Sequence, residues 1–290
     1  MFADLHMHST YSDGTDTPLE LCCHAKRHGV RVISITDHDS VGGQKALLAQ
    51  QIPQNVDVIP GIEISTEIGH KMIHILGYHI DLFDSGLEQF LAVISAEKTE
   101  STRLNFENAC AKKVFSYEWP RVLEHNAGQP RIGGIHVVKA MEIDGYGIPG
   151  MEYREMFKKV FWPASDDYIS VQTIGAYDAI DFVKKIGGIP IIAHPKYFDC
   201  DDTLYDLIRH GAQGLEVFHP THTDDDTAKY LKIANDRKLY VTGGSDWHGG
   251  NSVRGRKFAM TGLASCAYPI LCFYTQAVLA AQPAIVQAFY

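Results

Sequence analysis

The sequence lacks most of the features that mark secreted, membrane or nucleic-acid-coating proteins. Its six cysteines, Cys22, Cys23, Cys110, Cys200, Cys266 and Cys272, form no CxxC pair, and two of them are adjacent. This excludes a zinc ribbon and a disulfide framework, and fits reduced, mostly buried thiols. Positive charge is in deficit: 26 Lys and Arg against 35 Asp and Glu leave a formal net charge of −9. No broad basic face for long nucleic acid is expected. No basic n-region precedes the first β-rich run, so the expected location is cytoplasmic. No stretch supplies the roughly 20 uninterrupted apolar residues of a membrane span. The tail beyond Lys257 carries no charge, but Pro269, Gln276, Gln282 and Pro283 break it. A buried helix or subunit contact is its expected use, not a membrane anchor. Internal repeats and low-complexity tracts are absent as well.

What is present is an ordinary globular composition, 45% apolar and 21% charged, over 290 residues. That length suits one large domain, or one domain with an insertion. Short β-rich runs at 2–8, 31–36, 56–65, 72–79, 189–194, 214–218 and 239–244 alternate with helical patterns at 18–28, 41–49, 176–186, 203–210 and 227–237. The alternation argues for an α/β fold with parallel strands. Several runs are continuously apolar, as strands are when helices cover one face and a barrel interior the other. Residues 87–170 differ. They hold no clear strand and three helix-like pieces, 87–113, 117–125 and 135–144, punctuated by Gly128, Pro130, Gly145, Gly147, Pro149 and Gly150. The expected division is therefore a barrel of 1–86 with 171–290, and a helical insertion of 87–170.

The positions of the histidines and acids carry the chemistry. His6 and His8 form an HxH at the end of the first run, and side chains two apart on a strand share a face. Alone, that pair is weak evidence. It is followed by Asp13, by Asp37-His38-Asp39 after the second run, by Glu63 at the third and by His74 in the fourth. The fifth run ends at His194, the sixth leads to His219 and His222, and the seventh to Asp246 and His248. Parallel strands converge at their C-terminal ends, where catalytic groups gather. Imidazole and carboxylate without thiolate suit Zn, Mn or Fe. Nine candidates, His6, His8, Asp13, His38, Glu63, His74, His194, Asp246 and His248, exceed the four ligands of a structural zinc and suffice for two or three ions. Three divalent ions facing three carboxylates leave excess positive charge, which favours an anionic substrate, phosphate above all.

The same pieces resemble the polymerase and histidinol phosphatase (PHP) superfamily. They are Asp-Leu-His-Met-His-Ser-Thr-Tyr-Ser-Asp-Gly at 4–14, Ile-Thr-Asp-His-Asp-Ser at 35–40, Gly-Ile-Glu-Ile-Ser at 61–65, Ile-His-Ile-Leu-Gly at 73–77, Ala-His-Pro at 193–195 and Gly-Ser-Asp-Trp-His at 244–248. The resemblance implies a distorted (β/α)7 barrel with a di- or trinuclear centre of Mn2+, Fe2+ or Zn2+. It implies His6, His8, Glu63 and Asp246 at a first metal, Glu63, His74 and His194 at a second, and Asp13, His38 and His248 at a third. Asp13 stands where some members have His. Asp37 is expected to orient an imidazole, and Asp39 to do likewise or to cap the next helix.

In the branch this chain resembles, an Arg in the insertion and a His after the sixth strand contact the substrate phosphate. By position these are Arg131 and His222, with His219 competing for the second role and Lys196 and Arg254 as weaker anion sites. The remaining histidines, His136 among them, read as structural or exposed. The expected reaction is in-line attack on phosphorus by a hydroxide bridging two metals, with Glu63 and Asp246 indispensable and a protonated His222 serving the leaving alkoxide. The expected substrate is a small phosphorylated metabolite. Two types fit: a cyclic phosphodiester such as 5-phosphoribosyl 1,2-cyclic phosphate, and a phosphomonoester such as a nucleoside 3′,5′-bisphosphate. Three other readings are weighed. One is 5′-to-3′ trimming of short oligonucleotides. Another is an amidohydrolase-type C–N hydrolase, disfavoured because no Lys ends a run before the fifth. The last is a non-catalytic PHP module, disfavoured because none of the nine positions is eroded. Oligomeric state is left open.

Overall fold

The computed structural model describes residues 3–250; the uncharged tail and Arg254 lie outside the described residues. In chain order the elements are β1 (Ala3–Met7), α1 (Pro18–Arg27), β2 (Val32–Ile35), α2 (Gly42–Leu47), β3 (Asp57–Val58), β4 (Gly61–Ile68) and β5 (Lys71–Tyr78). Four helices follow: α3 (Leu87–Ala111), α4 (Trp119–His125), α5 (Gly134–Ile143) and α6 (Tyr153–Phe161). The chain then returns to α7 (Ala176–Lys185), β6 (Ile189–Ile192), α8 (Asp201–His210), β7 (Gly214–Phe218), α9 (Asp224–Arg237) and β8 (Tyr240–Gly243).

The result is a mixed α/β fold with two sheets. One is β1-β2-β3, wholly parallel; the other is β4-β5-β6-β7-β8. In the second, β4–β5 and β5–β6 are antiparallel, and only β6–β7 and β7–β8 are parallel. Single parallel bridges join the sheets: Met7 of edge strand β1 to Trp247 beyond β8, and His38 beyond the central strand β2 to Glu63 of β4. Among the described residues the all-parallel ring expected from the alternation does not form, and the ladders do not close into one barrel. Two local causes are visible. The run 56–65 breaks at Pro60, which has no N–H to continue a ladder, so β3 stops at Val58 and β4 starts afresh. From Ile68 the chain turns through Gly69, in the left-handed region at φ +58°, and a connection that short permits only antiparallel pairing.

The strands are largely buried on both faces, and their apolar side chains build two clusters. Ile62, Ile64, Ile75, Ile191 and Leu215 pack with α7, α8 and α9. Met7, Ile33, Ile35 and Trp247 pack with Leu21 and Ala25 of α1. α1 starts where Thr17 and Glu20 form a reciprocal capping box ahead of Pro18. A third cluster, including Phe106, Val122, Met141, Met156 and Phe161, lies wholly within the helical stretch. That stretch contains four helices, not three. α6 buries Met156, Val160 and Phe161, but Pro149, Gly150 and Pro163 around it read as loop. Gly134 admits α6 closely: a Cβ there would lie 2.5 Å from the Phe161 ring.

Candidate metal centre

Glu63 lies at the centre of the site, with no exposed surface. It is near the start of β4, held beside the end of β2 by the His38–Glu63 bridge. Its Oε2 meets His6 Nε2 and His8 Nε2, each at 3.2 Å, and His38 Nδ1 at 3.0 Å. Its Oε1 meets His74 Nδ1 at 2.7 Å and His194 Nε2 at 2.9 Å. Five imidazoles from four chain segments thus converge on one carboxylate. His6 and His8 come from β1 and its end, His38 from beyond β2 and His194 from beyond β6. His74 arrives differently from expectation, on antiparallel β5 opposite Ser65.

Around this core, Asp246 Oδ1 lies 3.1 Å from His8 Nε2 and 3.6 Å from His6 Nε2. Asp13 Oδ1 lies 3.2 Å from His248 Nε2 and 3.9 Å from His8 Nδ1 and His38 Nε2. The nine candidates are therefore neighbours, all buried. Three groupings bring one donor atom per residue within 4.8 Å of one another: His8, Asp13, His38 and His248; His6, His8 and Glu63; His38, Glu63 and His74. Among the described residues, His6 Nε2, both His8 ring nitrogens and Glu63 Oε2 make no hydrogen bond, though fully buried. Buried polar atoms without hydrogen bonds are costly, and a divalent cation among nitrogen and oxygen donors removes that cost. The residues present fit such an ion. Two of them, His194 at φ 25° and Asp246 at φ 49°, also hold left-handed backbone, a strain that clusters at functional sites.

The electrostatics are strongly coupled. Burial alone would raise the Glu63 carboxyl, but the imidazoles of His38, His6 and His74 hold it well below the usual range. Burial would lower His6, yet Glu216 and Glu63 overcome it and raise the ring to about 10. Burial dominates at His38, pushed well below its ordinary value, and at His194, brought to about 4. Divalent ions must displace whatever protons these rings share.

Several acids act in ways the sequence did not disclose. Glu216 Oε1 accepts from His6 Nδ1 at 2.9 Å, which turns Nε2 towards the centre. Its Oε2 accepts from the His194 N–H at 2.8 Å. The only signal for Glu216 was an acid inside an otherwise apolar strand. Asp4, on β1, likewise accepts from the Ser245 N–H at 2.9 Å, seating the turn that carries Asp246. Asp37 orients no imidazole: it accepts from Ser9 N at 2.7 Å and from Ser9 Oγ and Ser12 Oγ at 2.6 Å, bracing the Asp13 loop. Asp39 makes no helix cap. It accepts from Ser65 N at 2.7 Å and pairs with Arg131 at 3.1 Å.

The expected substrate groups fare unequally. Arg131 is only 5% exposed, so it forms a buried pair and not a surface one. His222 donates from Nδ1 to the Val217 carbonyl at 2.8 Å, and burial lowers its pKa, so the neutral ring presents a bare Nε2 rather than an acidic proton. His219 accepts from Thr221 N at Nδ1, leaving its Nε2–H for Asp246 at 3.3 Å; it supports Asp246. Lys196 is paired with Asp199 and Asp226.

Comparison with known proteins agrees with this architecture. Residues 4–132 match the PHP domain. The phosphoribosyl 1,2-cyclic phosphate 1,2-diphosphodiesterase of Eggerthella lenta is 32% identical over 254 residues, 86% of this chain and 95% of that one. The 3′,5′-nucleoside bisphosphate phosphatase of Chromobacterium violaceum is 30% identical over 253 residues, 84% and 86% of the two chains. A Bifidobacterium adolescentis protein whose name places it among the metal-dependent phosphoesterases superposes with a TM-score of 0.80 at 25% identity, over 96% and 95% of the chains. Fold, site and relatives define a hydrolase of phosphoric esters. The chain belongs to the PHP family of metal-dependent phosphoesterases. Among the described residues no helix is long and apolar enough to cross a membrane.

Proposed function

We propose that the protein hydrolyses a small phosphorylated metabolite at two or three divalent ions, Mn2+, Fe2+ or Zn2+. The observation that carries this is Glu63, gathered by five imidazoles beside nitrogens that no hydrogen bond satisfies. In this reading His6, His8, Glu63 and Asp246 hold one ion, Glu63, His74 and His194 a second, and Asp13, His38 and His248 a third. His8 and His38 each fall in two of the close groupings, so neighbouring ions share a wall of side chains. Bound ions supply Lewis acidity and a water ionised near neutral pH.

The chain's own residues do the rest. Glu63 would serve as a donor to both of the first two ions, and Asp246, steadied by His219, would complete the first site. Arg131 is held in place by Asp39 and keeps its Nε unused, ready to bind a phosphate oxygen. His222 meets the substrate's anionic end once that charge has drawn a proton onto its bare Nε2. Residues 87–170 act as the inserted unit that delivers Arg131, while the described parts of 1–86 and 171–290 form an open variant of the expected (β/α)7 barrel, a reading supported by the two bridges that link its sheets.

The names of the two relatives favour 5-phosphoribosyl 1,2-cyclic phosphate and a nucleoside 3′,5′-bisphosphate as substrates. The test is phosphate release by Mn2+-loaded protein from each, with a short oligonucleotide alongside. Turnover of the cyclic ester with two ester cleavages in sequence makes it a dihydrolase, and turnover of the bisphosphate alone a nucleotide phosphatase. Hydrolysis of the oligonucleotide only would replace the metabolite reading with exonuclease activity.

A further inference from the structure

The loop that carries Asp13 is gripped from two sides. From within, Asp37 takes three hydrogen bonds from Ser9 and Ser12. Gly14 closes the loop so tightly that a Cβ there would lie 2.2 Å from the His8 carbonyl oxygen. From without, the grip comes from more than a hundred residues away. Gln129 Nε2 donates to the Thr10 carbonyl at 3.1 Å, and His136 Nε2 to the Ser12 carbonyl at 3.2 Å. Lys139 Nζ donates to the carbonyl of Asp13 itself. His136 and Lys139 are three apart on α5 and so share a face. The direction of the histidine bond is set locally. The Gly133 N–H donates to His136 Nδ1 at 3.0 Å, so the neutral ring carries its hydrogen on Nε2, aimed at Ser12.

These contacts end on backbone carbonyls, so they fix where the loop runs, and the loop decides where the Asp13 carboxylate points. We propose that α5 of the helical stretch is a positioning element for the metal centre: His136 and Lys139 hold the Asp13 loop so that the grouping of Asp13, His8, His38 and His248 closes. The inference rests on the reading of that grouping as an ion site. Neither residue reaches the ions. Their effect passes through the loop, and it falls on the grouping of Asp13 because Glu63, His74, His194 and Asp246 stand on other segments.

The experiment is calorimetric titration of Mn2+ into the metal-stripped full chain. Asp13→Asn identifies the class of Mn2+ that depends on Asp13. Lys139→Met is then expected to weaken that class by about tenfold or more, the usual effect of removing an outer support, with the other classes unchanged. Lys139→Arg, which keeps a donor, is expected to restore it, and His136→Leu to repeat the loss. Lys139 is only partly buried, so Lys139→Met remains informative if His136→Leu does not fold. Unchanged titration in folded Lys139→Met, or equal weakening of every class, would overturn the inference while leaving the metal centre intact. A wild-type chain that takes up no Mn2+ would overturn the metal centre and this inference with it.

Discussion

His136 has almost no exposed surface, and burial lowers its pKa to about 4 despite the nearby Asp13 carboxylate. The sign of its contribution to stability follows directly. Unfolded, the ring protonates through its ordinary value of 6.5; folded, it resists until about 4. Between those values the unfolded chain binds more protons, so stability falls as pH falls, by on the order of 3 kcal/mol across the window for a fully buried group. The metal-free protein should therefore lose thermal stability from pH 6.5 to 4, and His136→Leu should flatten that slope. Parallel slopes for the two proteins would rule out His136 as the source. In sequence this histidine is indistinguishable from exposed ones such as His28, because burial and partner are tertiary properties.

Contacts between elements explain where the ligands stand. β1 and β8 belong to different sheets, yet they approach so closely that a Cβ on Gly244 would lie 2.3 Å from His6 Cβ and 2.5 Å from His6 N. Glycine at that point is what lets the Asp246 turn sit against the HxH strand. Gly244→Ala should cost roughly 1–3 kcal/mol of stability, as overpacking does, and it should also weaken Mn2+ uptake by displacing His6 from Asp246. Chemical denaturation with a parallel Mn2+ titration checks both; wild-type values for each would show that the contact yields freely. The hairpin β4–β5 has a comparable role. It sets Ser65 opposite His74 and brings an antiparallel strand to a site expected from parallel ones. Gly69 and Pro60 are both visible in the sequence, but alternation of strand and helix patterns outweighs two single residues when pairing is inferred.

At the scale of the whole molecule, a chain of net charge −9 concentrates its histidines around buried carboxylates. Ions that bind this native cluster and not the unfolded chain stabilise by mass action, by about 2.7 kcal/mol at a hundredfold excess over the dissociation constant. For a chain near this size that corresponds to a rise of roughly 5–10 °C in the unfolding midpoint. Removing divalent ions with EDTA should lower the midpoint by that amount and abolish phosphate release, and Mn2+ should restore both. Full activity and an unchanged midpoint in EDTA would remove the ions from the protein's chemistry.

The sequence by itself determined which residues are candidate donors, and the fold brings them together. His6, His8, Asp13, His38, Glu63, His74, His194, Asp246 and His248 are legible because each stands in or beside a recurrent short pattern at the edge of an apolar run, and local patterns survive without coordinates. It also determined the mixed α/β class and the helical character of 87–170. Only the tertiary structure decided how those donors are held. That Glu63 meets five imidazoles, that Glu216 and not Asp37 orients one of them, and that Asp37, His136 and Lys139 grip the Asp13 loop are pairings between residues far apart in the chain. Strand direction at β5 and the two-sheet arrangement belong to the same group. The reason is physical: a hydrogen bond or ion pair depends on distance in space, and spacing along the chain constrains that distance only within a helix, a strand or a short turn.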